Sequence, residues 1–309
     1  MLPPRVTVVV IVRDGERFIE EALASVCAQT MAAWEVVVVD DGSYDGTRDV
    51  VARFIDDDPS RFSLFRHERG ACQGMSASRN LGIANARGEF ITFLDHDDVM
   101  LPDKLERQCA LLDQHASASA VMGPNLRWHS WSQGGAVLES GASLDHPQDL
   151  GVAAIPSGVV LPSPSLLPIF LNRTNATPQA PMVRRAAIQT VGGFEDSFRD
   201  MYEDQVFLAK LMLTHSVVVS SEVWQRYRQH SDSCVSRAHR EGRQQRARRR
   251  FLNWLTAYIS TLLAQPNCDD SRRRMLQQLR KAARHAWWRS ILRSMQGAFR
   301  MRRSITVRS

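Results

Sequence analysis

The chain has 309 residues, of which 44% are hydrophobic and 23% are charged, a composition typical of a globular protein with a sizeable core. It contains no run of about 18 uninterrupted apolar residues, so we expect no membrane-spanning helix. Its five cysteines are scattered without Cys-x-x-Cys spacing, which argues against a zinc site or a disulfide framework and favours a reducing compartment. The chain enters a strand-like run without a charged and then apolar leader, so we expect a cytoplasmic protein.

Alternating strand-like and helical patterns organise the first half of the chain. Runs of β-branched residues predict strands that are buried on both faces of a sheet, and apolar residues at three- and four-residue spacing predict the intervening helices. In order, the predicted elements are a strand at Val6–Val12, a helix around Phe18–Val26, a strand at Trp34–Val39, a helix at Arg48–Ile55, a strand at Phe62–Arg66, a helix at Ser76–Ala86 and a strand at Phe90–Leu94. This order predicts an α/β fold with a doubly wound, mostly parallel sheet and right-handed crossovers.

The fourth predicted strand ends in three carboxylates within four positions, Asp95, Asp97 and Asp98. Ligands of open α/β sheets bind at the carboxyl ends of strands, and carboxylate oxygens suit a hard divalent ion that holds a diphosphate. The alternative is a solvated acidic turn that caps the helix predicted at Lys104–His115.

The second predicted strand also ends in acids, Asp40 and Asp41, and a turn-rich loop follows. A carboxylate there could accept hydrogen bonds from a ribose or a base, or it could close an Asx-turn helped by Gly42 and Gly46. No Gly-x-Gly-x-x-Gly or Walker lysine motif is present in the sequence, which argues against NAD and P-loop chemistry.

Taken together, these motifs resemble the GT-A fold family 2 of inverting glycosyltransferases, which includes the enzymes that build bacterial surface polysaccharides. The first half matches in Val6–Val12 with Arg13-Asp14, Asp40-Asp41-Gly42-Ser43-x-Asp45-Gly46-Thr47, Ser78-Arg79-Asn80-x-Gly82-Ile83 and Phe93-Leu94-Asp95-x-Asp97-Asp98. Downstream matches are Val191-Gly192-Gly193-Phe194 before Glu203-Asp204, and then Tyr227-x-x-His230. The resemblance therefore covers about residues 5–236. The chain departs from the family at Ile11, Arg13 and Asp14, where a proline, an aromatic residue and an asparagine are common.

The resemblance implies a role for each matched acid on the donor side. Asp40 would hold the base of a nucleotide, commonly uridine, and Asp95 would contact the ribose or the sugar. Asp97 of the Asp-x-Asp motif would bind Mn²⁺ or Mg²⁺ on the diphosphate. Further donor contacts are expected from Asp14, Asp41 and Arg79, although a salt bridge on the helix surface is an alternative for Arg79.

The acceptor side of the site is expected from the second half of the chain. By the resemblance, Asp204 would be the base that takes the proton of the acceptor hydroxyl, with Glu203 as the neighbour that could share this role. The alternative for Asp204 is capping of the helix predicted at Gln205–Thr214. His230 is either a further metal or phosphate ligand or a surface histidine.

Residues 129–168 are rich in Gly, Ser and Pro and poor in periodicity. They predict an irregular loop over an acceptor cleft. Trp128 and Trp131 near its start could stack on sugars, but ordinary packing is the favoured interpretation.

The charge is distributed unevenly and predicts a boundary near residue 237. Residues 237–309 carry 19 Lys and Arg against three acids, whereas the first 236 residues carry 20 against 30. Apolar residues from Phe251 to Leu262 and within Arg272–Phe299 fall at helical spacing among arginines. Such basic amphipathic helices suit an anionic membrane surface, packing on the rest of the protein, or nucleic acid; nucleic acid is the least favoured, because no binding motif accompanies the charge.

The sequence thus predicts a glycosyltransferase domain at residues 1–236 and a basic helical extension at 237–309. Within the domain, residues 5–115 would be the nucleotide-sugar-binding half and 116–236 the acceptor half. The enzyme would move a sugar from a nucleoside-diphosphate sugar to a saccharide or lipid-linked acceptor, with inversion and with metal assistance, as a cytoplasmic or peripheral membrane protein at the inner face. The alternative is a catalytically inactive binding protein of the same fold whose basic tail binds membrane or nucleic acid.

Overall fold

A computed structural model of the chain describes residues 3–132, 144–149, 155–171, 181–266 and 268–306, with the backbone alone for 291–306. The chain divides into two compact units, one of Met1–Leu166 with Asn175–His230 and one of Leu167–Thr174 with Ser231–Ser309. The second unit thus resumes at Ser231, shortly before the predicted boundary at residue 237.

The described residues form twelve strands and ten α-helices. The strands are β1 (Val6–Val12), β2 (Trp34–Asp40), β3 (Phe62–Arg66), β4 (Phe90–Asp95), β5 (Val99–Met100), β6 (Ala120–Met122), β7 (Leu126–Trp128), β8 (His146–Pro147), β9 (Val159–Leu161), β10 (Met182–Arg184), β11 (Val217–Val219) and β12 (Gln225–Arg228). The helices are α1 (Ile19–Cys27), α2 (Thr47–Asp57), α3 (Met75–Ala84), α4 (Lys104–Gln114), α5 (Leu167–Leu171), α6 (Arg185–Val191), α7 (Glu203–Thr214), α8 (Cys234–Arg240), α9 (Gln244–Leu263) and α10 (Asp270–Thr306).

The main sheet of the first unit has eight strands in the order β3-β2-β1-β4-β10-β6-β11-β9. β3, β2, β1 and β4 run parallel, whereas β10 is antiparallel to both of its neighbours, β4 and β6. β1 and β2 are buried along their whole length, as expected for apolar strands covered on both faces. The predicted α/β fold with a mostly parallel sheet is confirmed.

The register of the central strands brings two of the predicted acids to one edge of the sheet. Asp40 is the last residue of β2 and lies beside Val12, whereas Asp95 is the last residue of β4 and lies beside Ile11. Because neighbouring strands are about 4.8 Å apart, two acids that flank β1 lie about 10 Å from each other along the sheet. The strand pairing alone therefore places both at the carboxyl end of the sheet.

A second, smaller sheet has the strand order β5-β12-β7-β8. This sheet is not predictable from the sequence, because its strands contain only two to four residues and periodicity cannot be recognised over so short a run. The interpretation of residues 129–168 as one irregular loop is wrong at three places: His146–Pro147 form β8 of the second sheet, Val159–Leu161 form β9 at the edge of the main sheet, and α5 begins at Leu167. The rest of the expected loop includes residues 133–143 and 150–154, which lie outside the described residues.

The second unit is helical, with α9 and α10 packed against each other. Hydrogen bonds from Arg280 to Ser260 and from Ser290 to Gln245 tie the two helices together in antiparallel order. Most of the apolar stripe predicted on α9 is buried, as are residues of α10 at three- and four-residue spacing. Among the described residues, no helix is both long and apolar enough to cross a bilayer.

Gly82 on α3 sets how closely this helix approaches the sheet. A Cβ at this position would lie 2.4 Å from Cγ1 of Val9 on β1 and 3.4 Å from Cγ2 of Val39 on β2. Both valines are buried and β-branched, so they have little freedom to move aside. A side chain at residue 82 would therefore push α3 away from the sheet, together with Arg79 one turn earlier.

We expect Gly82→Ala to lower the free energy of unfolding, measured in urea, by about 1–3 kcal/mol, the usual cost of overpacking. In an unhindered helix the same exchange stabilises by about 1 kcal/mol. The sign of the change in the free energy of unfolding therefore shows whether α3 approaches the sheet as closely as described. The reverse exchange at exposed Ala84, Ala84→Gly, is the control and should follow helix propensity. An increase in stability for Gly82→Ala would contradict the packing described for α3.

Candidate active site

The loops that follow β1 and β2 are joined by hydrogen bonds from backbone amides to acidic side chains. Asp14 has a left-handed backbone with φ of 50°, and its Oδ1 accepts a hydrogen bond of 2.8 Å from the amide of Tyr44. Asp40 is fully buried, and its Oδ1 accepts a hydrogen bond of 2.8 Å from the amide of Ser43. Both carboxylates thus shape the loop of residues 41–46, in the manner of the Asx-turn that was considered for Asp40.

The other oxygen of Asp40 is in a different situation. Within the part of the chain that the structure describes, Oδ2 of Asp40 is buried and accepts no hydrogen bond. Its charged neighbour is Arg66, whose Nε lies 3.4 Å away. A buried carboxylate oxygen without a hydrogen bond is costly, so a donor from a ligand would stabilise it.

Asp41 connects the β2 loop to the start of α3. Its Oδ1 accepts a hydrogen bond of 2.7 Å from the amide of Gln73, and its Oδ2 accepts one of 2.9 Å from the amide of Gly74. The thiol of Cys72 donates to the same carboxylate over 3.2 Å, and Arg13 donates to the sulfur of Cys72 over 3.0 Å. Asp41 is therefore committed to holding two loops together.

The Ser78-Arg79-Asn80-x-Gly82 motif on α3 links the donor loops to the segment that precedes α7. The hydroxyl of Ser78 lies 3.0 Å from Nε2 of His67 at the end of the β3 strand. The amide side chain of Asn80 accepts a hydrogen bond from the backbone of Phe194 and donates to Phe194 and to Asp196. Each polar residue of the motif thus fixes α3 to a different part of the first unit.

Arg79 joins the end of β4 to the start of α7. One arm of its buried guanidinium donates to Oδ1 of Asp95 over 2.7 Å, and the other donates to Oε1 of Glu203 over 2.9 Å. Phe194 lies under the guanidinium, 5.4 Å from it. Burial opposes the charge of Arg79, but Asp95 and Glu203 together raise its pKa above the ordinary value. These bonds bring Asp95, a predicted donor contact, and Glu203, a predicted catalytic acid, to the same guanidinium.

Glu203 and Asp204 occupy the first turn of α7 and differ in exposure. Glu203 is buried against Arg79, whereas Asp204 is half-buried and its Oδ1 accepts a hydrogen bond of 2.7 Å from the amide of Gln205. Burial, followed by the charge of Asp204, raises the pKa of Glu203 to about 8. Burial also raises the pKa of Asp204. One guanidinium therefore faces three carboxylates, and burial makes two of them, Glu203 and Asp204, bind protons more tightly than in water.

Asp97 and His230 form a second pair at the same end of the sheet. Oδ2 of Asp97 lies 2.8 Å from Nε2 of His230, and both side chains are largely buried. Burial alone would raise the pKa of Asp97, but the hydrogen bond with His230 and the charge of His96 lower it on balance. Asp95 and Asp97, two residues apart, thus have different partners, namely Arg79 and His230.

The Asp97–His230 pair fits a divalent cation in donor type and in spacing. Mg²⁺ in proteins takes near-octahedral ligands at about 2.1 Å, so neighbouring ligands lie about 3 Å apart. The described residues contain no cluster of three or more His, Cys, Asp or Glu side chains that could hold an ion by themselves. Two protein ligands are nevertheless sufficient where substrate phosphates and water complete the coordination.

Aromatic side chains hold His230 in place. The ring of His230 lies 5.0 Å from that of Phe18 and 6.4 Å from that of Trp131, and Trp131 donates a hydrogen bond of 2.8 Å to the carbonyl of Gln229. Trp128 lies 4.4 Å from the guanidinium of Arg228. Both tryptophans thus pack against the strand and loop that lead to His230; sugar stacking by them stays a prediction.

Phe18, Asp98 and Arg228 also support this site and were not predicted from the sequence. Phe18 was counted as part of an apolar helix face, and Asp98 was grouped with the acids at the end of the strand without a supporting role of its own. Arg228 lies inside the matched Tyr227-x-x-His230 motif, so its position next to a predicted ligand was the available signal.

The sequence similarity to known proteins is concentrated in the first half of the chain. Residues 7–136 match the family model Glycosyl transferase family 2. EpsH of Bacillus subtilis (strain 168), named as a glycosyltransferase, is 40% identical over 107 residues, which are 35% of this chain and 30% of EpsH. TuaG of the same strain, named as a teichuronic acid biosynthesis glycosyltransferase, is 32% identical over 123 residues, which are 40% of this chain and 48% of TuaG. The match thus spans less than half of either relative.

Solved structures share the fold over most of the chain. S. aureus TarS 1–349 in complex with UDP-GlcNAc superimposes with a TM-score of 0.65 at 19% identity, covering 88% of this chain and 70% of that one. The mannosyltransferase PcManGT from Pyrobaculum calidifontis, in complex with GDP-Man and Mn²⁺, gives a TM-score of 0.58 at 16% identity, covering 96% and 76%. At such identities the likeness shows the fold alone. Residues 7–136, somewhat less than half of this chain, are thus similar to glycosyltransferase family 2.

Proposed function

We propose that the chain is an inverting glycosyltransferase that uses a nucleoside-diphosphate sugar, with a UDP-sugar as the first candidate because of the acid at Asp40. The observation that carries the proposal is the pair of hydrogen bonds by which Arg79 joins Asp95 to Glu203. They bring Asp95, the donor-side acid that ends β4, close to Glu203, the neighbour of the candidate base Asp204 on α7. Transfer of a sugar between two substrates needs such an arrangement.

The donor would bind across the carboxyl ends of β1, β2 and β4. The unbonded Oδ2 of Asp40 supports a contact with a nucleobase N–H, which would require Arg66 to swing aside or to share the base. Asp95, with a side chain 44% exposed beside Arg79, has room for a ribose or sugar hydroxyl. The commitment of Asp14 and Asp41 to backbone amides supports a role in shaping the donor loops.

The diphosphate would be bound with Mn²⁺ or Mg²⁺ at Asp97 and His230. When bound, the cation supplies positive charge for the oxygen that becomes negative as the nucleoside diphosphate leaves. The largely buried position of Asp97 and His230 strengthens that interaction, because electrostatic energies grow as water is excluded.

The acceptor hydroxyl would be deprotonated by Asp204. The oxygen of the acceptor hydroxyl attacks the anomeric carbon, and the bond from that carbon to the diphosphate oxygen breaks. The proton of the hydroxyl passes to the carboxylate of Asp204. Glu203 is buried and bonded to Arg79, whereas Asp204 reaches solvent. The raised pKa of Asp204 makes it a better proton acceptor than a free aspartate. Glu203 would then hold Arg79 in position rather than take the proton.

The basic second unit is proposed to contact an anionic membrane, which would bring the site to a lipid-linked acceptor. The apolar stripe, for which a membrane surface was one of the interpretations from sequence, is mostly buried, so the contact would use the opposite, exposed side of α10. Lys281 and Arg284 are exposed there, and Trp288 is 59% exposed. No acid follows Asp270 in the chain. Each basic residue near an anionic surface contributes about 1 kcal/mol, and tryptophan favours the interface.

We expect Asp204→Asn to lower the rate of sugar transfer by about 10² to 10⁴-fold, the usual contribution of a general base. Its affinity for UDP with Mn²⁺ should stay close to that of the wild type, because asparagine keeps the size of the side chain. The measurement is release of nucleoside diphosphate in a screen of donors and acceptors, with UDP binding by calorimetry. Asp196→Asn serves as the control, because Asp196 is also an acid of this unit and accepts a hydrogen bond from Asn80 on α3.

Unchanged transfer by Asp204→Asn would remove Asp204 from the mechanism. The raised pKa also predicts that wild-type transfer falls on acidification through a pKa above about 3.9, the value of free aspartate. A rate that stays constant down to that pH would contradict the role of a carboxylate base with a raised pKa.

For the second unit, we expect the full chain to float with vesicles that contain phosphatidylserine. The triple variant Lys281→Glu/Arg284→Glu/Trp288→Ala should lose most of this binding, because it removes two positive charges, adds two negative ones and removes the aromatic ring. Arg48→Glu/Arg53→Glu on α2 gives the same charge change in the first unit as a control. Equal flotation of all three proteins, or binding of RNA in place of vesicles, would contradict the membrane proposal.

A further inference from the structure

A buried polar network lies beneath the Asp97–His230 pair. Its members are Asp98, Lys104, Gln225 and Arg228, each at most 3% exposed. They come from the turn after β4, from the start of α4 and from the two ends of β12. None of them is needed as a substrate contact in the proposed reaction, so their burial together calls for another explanation.

The network begins at the carboxylate of Asp98. Its Oδ1 accepts a hydrogen bond of 3.0 Å from the amide of Arg228, and its Oδ2 accepts one of 3.0 Å from Nε2 of Gln225. The other end of the same amide, Oε1 of Gln225, accepts a hydrogen bond of 3.2 Å from the ammonium of Lys104. Gln225 therefore links the buried amino group of Lys104 to the buried carboxyl group of Asp98 and uses both ends of its side chain.

Arg228 connects the network to the turn of residues 95–98, which contains the candidate metal ligand Asp97. Its Nε donates a hydrogen bond of 2.7 Å to the backbone carbonyl of Asp97, and its terminal nitrogen pairs with Glu21 on α1. The amide of Asp98 also donates to the carbonyl of Asp95 over 3.0 Å, which tightens the turn itself. The backbone of Asp97 is thereby fixed from both sides.

The two candidate ligands are distant in sequence, and this network is what connects their backbones. Asp97 follows β4, whereas His230 follows β12, and 133 residues separate them. β12 is paired with β5 through Gln225 and Met100, directly after the acidic turn. Hydrogen bonds from Gln225 and Arg228 to Asp98, and from Arg228 to Asp97, reinforce this short pairing. They fix the distance from the turn to the strand that carries His230.

We propose that Gln225 and Lys104 are positioning residues that set the separation of Asp97 and His230, acting through Asp98 and Arg228. This inference rests on the proposed function, because it assumes that the pair binds a cation. Residues behind metal ligands commonly determine affinity, since their loss costs about 10- to 100-fold in metal binding. A divalent ion in near-octahedral coordination tolerates little change in ligand spacing, so the effect is expected mainly in metal affinity.

The cost of burial supports a role beyond stability. Burial lowers the pKa of Lys104 to about 7, although the charge of Asp98 opposes this shift. An apolar side chain of similar volume would avoid that penalty, and apolar replacements of buried charged groups are often neutral or stabilising. Hydrogen bonds within a buried polar network instead fix one geometry of the residues that they join.

The test uses the full chain and the variants Gln225→Met and Lys104→Met, which keep the approximate volume of each side chain. Gln225→Met removes the bonds to Asp98 and Lys104, whereas Lys104→Met leaves the bond between Asp98 and Gln225 in place. Thr7→Val is the matched control, since it removes buried hydrogen bonds to Glu35 and Gly88 at the other end of β1. Binding of Mn²⁺ in the presence of saturating UDP is measured from the free Mn²⁺ signal in electron paramagnetic resonance, and UDP binding without metal is measured by calorimetry in EDTA.

We expect Gln225→Met to weaken Mn²⁺ binding at least about tenfold and Lys104→Met to weaken it less, with UDP binding in EDTA unchanged for both. Thr7→Val should lower the stability but leave Mn²⁺ binding at the wild-type value. If Gln225→Met and Lys104→Met fold and bind Mn²⁺ with wild-type affinity, the inference is wrong but the proposed metal site is unaffected. An equal loss of Mn²⁺ affinity in Thr7→Val would have the same consequence. A wild-type chain that binds UDP but no Mn²⁺ would instead overturn the proposed metal site and the inference with it.

Discussion

The interaction on which the rest of the first unit depends is the double hydrogen bond of Arg79 to Asp95 and Glu203. A buried guanidinium must be paired, and it gains most from two carboxylates placed at its two arms. Asp95 ends β4 and Glu203 starts α7, so the pairing of one side chain sets the relation between the donor loops and the acceptor half. Removal of either acid would leave one arm of the buried guanidinium without its hydrogen-bond acceptor, which is a destabilising change.

The convergence of the other acids follows from strand order. β2 and β4 flank β1 and run parallel to it, so their terminal acids share one edge of the sheet. Asp40 keeps one oxygen without a hydrogen bond in the described residues, whereas Asp41 has its oxygens occupied by the start of α3. These two neighbouring acids thus differ in role: Asp40 can still accept a hydrogen bond, whereas Asp41 fixes a loop.

The sequence was sufficient for the parallel part of the sheet because β1 to β4 are apolar runs of five to seven residues that end in turn residues or acids. It was not sufficient for β5, β7 and β12, whose two to four residues depend on partners far away in the chain. The same limit hid the burial of Asp98, since a carboxylate bonded to Gln225 and Arg228 has the sequence pattern of a solvated turn. The apolar stripe of α9 was recognised correctly, but periodicity alone does not tell whether protein or lipid covers such a stripe.

Binding of UDP to the wild-type chain and to Asp97→Asn, with and without Mn²⁺, tests most directly whether the acids at the strand ends form one cation-dependent donor site. We expect Mn²⁺ to increase the affinity of the wild-type chain for UDP at least about tenfold, and Asp97→Asn to lose this increase while it keeps the metal-independent affinity, because the amide is a poor ligand for a hard cation. An equal effect of Mn²⁺ on both proteins, or no UDP binding by a folded wild-type chain, would contradict the convergence of Asp40, Asp95 and Asp97 on one donor.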